Sequence, residues 1–119
     1  MPIELDRLTV SLLILRPDSP QLDEDAENRL QDAHMNHLAE MHEQGHLLAA
    51  GPILGPPDRR LRGLSIYRTS EEDASRLAEQ NPGVTEGRYS VETYTWFVPA
   101  GAMSFSPTRF PHSQAEARG

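Results

Sequence analysis

The sequence predicts an α+β domain with its elements in the order β-α-β-β-α-β. Three observations carry this expectation. Runs rich in β-branched, leucine and aromatic residues stand at Arg7–Arg16, His46–Ile53, Leu61–Arg68 and Arg88–Val98. A long stretch ending at Gly45 places apolar residues at helical spacing, and a shorter one follows Ser70. Between these runs lie the turn formers, at Pro17, Pro20, Gly51-Pro52, Pro56-Pro57, Asn81-Pro82-Gly83 and Pro99. At 119 residues the chain is one domain by length. Residues 1–99 are expected to form it, with 100–119 as an irregular tail that contributes little to the fold unless Phe105 and Phe110 dock.

In the first strand, Leu8, Val10, Leu12 and Ile14 share one face and Thr9, Ser11, Leu13 and Leu15 the other. Two prolines in Arg16–Pro20 enforce a loop. The first helix is expected from Leu22 or Asp23, because Asp23, Glu24, Asp25 and Glu27 suit the positive end of a helix dipole. Its projected stripe holds Ala26, Leu30, Ala33, His37 and Met41, with His34 and Leu38 on the flank, and Gly45 stops it. Ser70 followed by Asp73 resembles a capping box that opens the second helix, which buries Ala74, Leu77 and Ala78 and ends at Asn81-Pro82. The last strand sends Tyr89, Val91 and Phe97 one way and Tyr94, Trp96 and Val98 the other.

This order is the split βαβ, ferredoxin-like arrangement: a four-stranded antiparallel sheet with both helices on one face. Apolar residues occupy both faces of several strands, and helices cover only one. The other face is expected to pack on a second copy of the chain, with Tyr94 and Trp96 at or near that interface.

Composition removes several classes of chemistry. A formal charge of −7 leaves no basic field for nucleic acid. Apolar runs such as Leu12–Leu15 are far too short to cross a bilayer, and no charged and apolar leader opens the chain, so a soluble cytoplasmic protein is expected. The absence of cysteine excludes thiolate nucleophiles and cysteine-ligated metals, and the absence of lysine excludes Schiff-base chemistry. Histidine, carboxylates, hydroxyls and arginine remain.

Four of the five histidines, His34, His37, His42 and His46, lie between His34 and Pro52. His34 and His37 have the spacing of a zinc or copper pair, but no HExxH pattern is present, and half-buried residues at the edge of an apolar stripe account for them better. We therefore expect neither metal nor cofactor. A histidine over a sheet face can also transfer protons near neutral pH, and His34 is placed to approach the turn at Asn81. His37, Gly51, Pro52, Tyr94 and Trp96 are candidate ligand contacts, the two aromatics competing with their role in a dimer. Arg59, Arg60 and Arg62 form a small basic cluster suited to a carboxylate or phosphate, or to surface ion pairs.

An ordered set of features resembles the YciI-like, or YCII-related, proteins. The set runs from His34-x10-Gly45 through Leu47-Leu48-x-Ala50-Gly51-Pro52, Gly63 and Ser70-x-Glu72-x-Ala74. It continues with Asn81-Pro82 and Gly87 to the aromatic strand ending at Phe97. The resemblance covers about Leu8 to Val98. It implies a dimeric α+β barrel related to the ferredoxin-like fold. It also implies a dyad of a first-helix histidine, matched by His34, with the aspartate of an Asp-Pro pair, whose position Asn81 occupies. Some relatives are linked to dehydrochlorination of aromatic compounds. Two functions therefore compete: a small enzyme using His34 for proton transfer on a small, aromatic molecule, and a non-catalytic module that binds a small molecule or only assembles.

Overall fold

The computed structural model describes residues 1–118. Its elements are β1 (Leu5–Leu15), α1 (Glu24–Glu43), β2 (Leu47–Pro52), β3 (Leu61–Tyr67), α2 (Glu71–Glu79), α3 (Pro82–Thr85) and β4 (Tyr89–Pro99), with a single 3₁₀ turn at Gln114–Glu116. The strands form one sheet in the order β2-β3-β1-β4, every neighbouring pair antiparallel. This is the expected α+β, ferredoxin-like arrangement. No helix among the described residues is long and apolar enough to cross a membrane.

Local chemistry sets the helix ends. The Asp23 side chain accepts the Ala26 N–H at 2.8 Å and caps α1. At the other end, Gly45 takes φ 87°, and the N–H groups of Gly45 and His46 return to the carbonyls of His42 and Met41. That is a Schellman closure, and it turns the chain directly into β2. Ser70 caps α2 by accepting the Asp73 N–H. The expected stop at Asn81-Pro82-Gly83 is a further helical turn, α3. Asn81 caps it and Pro82 occupies its first positions, where a missing N–H costs nothing.

The helices cover the more polar face of the central strand. Thr9 and Ser11 are buried, and the Thr9 hydroxyl donates to the Thr69 carbonyl at 2.7 Å. Thr95, beside Thr9 in β4, reaches Glu71 of α2, which fixes this as the helix side. The core beneath the helices is built on Met41, Leu47, Tyr67 and Ala74. On the opposite face, Leu8, Val10 and Leu12 are only half-buried, and their β4 partners include Trp96 and Tyr94. On α1, Ala33 is exposed and Ala39 buried, so the helix is rotated from its projected stripe.

The irregular tail docks in part. The Phe110 ring stacks on His42 with centroids 4.0 Å apart and planes at 10°. His112 meets Asn36 at 2.6 Å and Glu43 at 2.5 Å, and the Gln114 N–H donates to Asp32 at 2.8 Å. Residues 110–114 therefore run along α1. Of the two aromatics that could dock, Phe110 is the one that packs against the core.

Candidate active site

Three consecutive local decisions build the site. The α1 register places Gln31, His34, Met35 and Leu38 along one cleft, at the i, i+3, i+4, i+7 spacing of a single helix face. The α3 turn delivers Asn81, which is 2 % exposed, to the side of His34. β4 opens with Tyr89, whose ring lies 6.2 Å from the imidazole at a tilt of 53°. Gly83 makes this approach possible, since a Cβ there would sit 2.8 Å from the Tyr89 ring. The cleft has a volume of about 510 Å³, within the range of small-molecule sites, and Gly51, Pro52, Phe110 and Pro111 add to its walls.

His34 Nδ1 lies 2.9 Å from Asn81 Oδ1, and the same oxygen accepts the Gly83 N–H at 2.8 Å. A backbone N–H only donates, so the contact atom of Asn81 must be its carbonyl oxygen. The proton between the two side chains therefore belongs to His34 Nδ1. In the neutral imidazole this leaves the Nε2 lone pair unprotonated, and Nε2 has no hydrogen-bond partner among the described residues. Burial pushes the His34 pKa below its ordinary value of 6.5. The hydrogen bond to Asn81 opposes this, and the positive charges of His37 and Arg88 add to the lowering. Arg88 is itself held by Glu27 of α1.

The expected ligand contacts divide. Gly51 and Pro52 line the cleft with His34. His37 does not. Its Nε2 donates to the Leu77 carbonyl at 3.1 Å and ties α1 to the end of α2. His34 Nδ1 is thus committed to Asn81 and His37 Nε2 to Leu77, and no group of three or more metal-ligating side chains gathers among the described residues. Tyr94 and Trp96 are likewise outside the cleft. Strand alternation sends them to the open face, opposite Thr95 and the helices, where they are 50 % and 40 % exposed. Of the arginine cluster, Arg59 and Arg62 line the cleft. Sequence reasoning passed over Gln31, Met35, Phe110 and Pro111 as site residues. Phe110 carried one usable signal, as a bulky aromatic in a Ser- and Pro-rich stretch that would otherwise be solvated.

Burial lowers His37 as well as His34, with the Leu77 carbonyl and Glu40 opposing. Both groups therefore bind protons more readily in the unfolded chain, and stability rises with pH through this window. Their contribution is present above the ordinary value of 6.5 and is lost as pH falls towards the lowered folded values. Thermal melts should show wild type losing stability between neutral and mildly acidic pH. His37→Gln, which keeps a donor for Leu77, should lose less. Identical pH dependence in the two proteins would contradict the assignment.

A family model of the YCII-related domain matches residues 10–97. The chain belongs to the YCII-related family. Its fold is similar to that of a solved structure, the 5-chloro-2-hydroxyhydroquinone dehydrochlorinase TftG from Burkholderia phenoliruptrix AC1100 in complex with 2,5-dihydroxybenzoquinone. The TM-score is 0.55 at 20 % identity, covering 75 % of this chain and 92 % of that one. No curated protein sequence matches the chain. In this YCII-related chain Asn81 both caps α3 and meets His34 with a side chain that does not ionise. Asn is among the favoured capping residues, which suits it to the α3 turn.

Proposed function

We propose that the protein is a small enzyme that uses His34 as a general base on a small hydroxylated aromatic molecule, with Asn81 as the residue that orients the ring. The observation that carries this is the fixed tautomer: Asn81 holds the Nδ1 proton, and Nε2 is left as a base in a cleft of ligand size. The lowered pKa keeps the imidazole neutral and competent at neutral pH. Family membership, and the aromatic substrate class in the name of TftG, support the choice of chemistry.

A chlorinated hydroxyhydroquinone is the probe. His34 would pass a hydroxyl proton to the chlorine-bearing ring carbon, and removal of a second hydroxyl proton would expel chloride with the C–Cl bonding pair. The sum is loss of HCl and formation of a hydroxyquinone, with no oxidant. Chloride release above the uncatalysed rate is the expected result. Binding of the probe without chloride release or solvent-proton exchange would favour the non-catalytic module.

We further propose that the working unit is a homodimer joined through the open sheet face. Leu8, Val10, Leu12, Leu64, Tyr94 and Trp96 lie there with no helix over them. A face this apolar is stabilised when a second sheet removes it from water.

A further inference from the structure

The His34 cleft differs in charge from the rest of the molecule. The chain carries a net −7, yet among the described residues lining the cleft there is no aspartate or glutamate, while Arg59 and Arg62 both reach it. Neither arginine has a carboxylate within ion-pair distance among the described residues. Both are held by backbone carbonyls instead. Arg59 donates Nε to Ile53 at 2.8 Å and Nη1 to Pro56 at 3.1 Å and Gly55 at 3.4 Å. Arg62 donates Nε to the Arg59 carbonyl at 3.0 Å and Nη2 to Pro57 at 3.1 Å.

These bonds fix the guanidinium planes without neutralising them. Each group has five N–H donors. The Nη2 donors of Arg59 and the Nη1 donors of Arg62 are not used by these contacts. The proline-rich loop between β2 and β3 and the start of β3 thus present two pre-oriented cations, Arg59 and Arg62, at a wall of the cleft, at little further entropic cost on binding. Leu13, Met35, Leu38, Tyr89 and Phe110 supply apolar surface for a flat ring in the same cleft.

We infer that the cleft is an anion site whose ligand is a small aromatic carboxylate, with its carboxylate on Arg59 and Arg62 and its ring on the apolar wall. The inference rests on the cleft being the ligand site of the proposed function, and it adds a carboxylate to the hydroxylated ring as the preferred ligand, the chlorinated hydroxyhydroquinone being a minimal probe of the chemistry alone. A planar carboxylate matches the guanidinium fork, and charge-assisted bonds of this kind are about twice as strong as neutral ones.

Calorimetry with salicylate and its neutral isostere salicylamide, at fixed ionic strength, tests it. Salicylate should bind wild type at least about tenfold more tightly than salicylamide. Arg62→Gln and Arg59→Gln should each reduce that preference, weakening salicylate more than salicylamide. Equal affinity of wild type for both probes, binding of neither, or a preference unchanged in both variants would overturn the anion site. Inorganic phosphate binding as tightly as salicylate would overturn the carboxylate assignment. Should the variants fail to fold, the side-chain NMR signals of Arg59 and Arg62 in wild type serve instead. They should move with salicylate and not with salicylamide, and silence with both would overturn the proposal. His34→Gln should retain the preference, so failure of the anion site and failure of His34 as base are separately visible.

Discussion

His34→Gln is expected to lower turnover of a chlorinated hydroxyhydroquinone by about a hundred- to ten-thousandfold, the usual contribution of a positioned general base. Glutamine keeps an N–H donor for Asn81 Oδ1, so the α3 turn and the fold should survive. Only the basic Nε2 is lost. The melting temperature should accordingly stay within a few degrees of wild type. Wild-type turnover should fall on the acid side as His34 becomes protonated, below the ordinary histidine value of 6.5 because burial lowers it. A variant with wild-type turnover would remove His34 from the chemistry.

Trp96→Ala is expected to have the largest effect on assembly. Trp96 is directly opposite Leu8 on the open face and is 40 % exposed in the single chain, although a tryptophan is costly to leave in water. If a second sheet buries it, truncation should cost about 3–5 kcal/mol, the range for deleting a buried aromatic. That corresponds to a dissociation constant weaker by roughly a hundredfold or more. Sedimentation should show a wild-type dimer at micromolar concentration and a Trp96→Ala protein shifted towards monomer. A wild-type monomer under those conditions would contradict the proposed interface.

Strand order and helix positions were legible in the sequence because they rest on local signals. Alternation marks the strands, and Asp23, Gly45 and Ser70 punctuate the helices. The face that the helices choose was not legible. The face of β1 that carries Thr9 and Ser11 also carries Leu13 and Leu15, so alternation does not say which face takes the helices; Thr9 and Ser11 are buried, and the bond that satisfies Thr9 comes from Thr69, sixty residues away. The His34–Asn81 pair was anticipated from the family resemblance and from helix phase, and its contact at 2.9 Å agrees with that placement. His37 shows the limit of phase arguments. Three residues from His34, it lies on the same broad side of α1, and only the position of α2 decides that it meets Leu77 and not the cleft. The α3 turn was hidden because Pro82 and Gly83 signal both the end of one helix and the start of another. The docking of Phe110 on His42 has no periodic signature at all, since it depends on the path of an irregular segment.

The measurement closest to the central claim is an NMR titration of the His34 imidazole nitrogens in wild type and Asn81→Asp. The account predicts that wild-type His34 is neutral at neutral pH, protonated on Nδ1 with Nε2 bare, and that it titrates below the ordinary value of 6.5. In Asn81→Asp, the new carboxylate should favour the imidazolium and move the titration upward. A wild-type ring protonated on Nε2 when neutral, or one titrating at or above the ordinary value, would contradict the account.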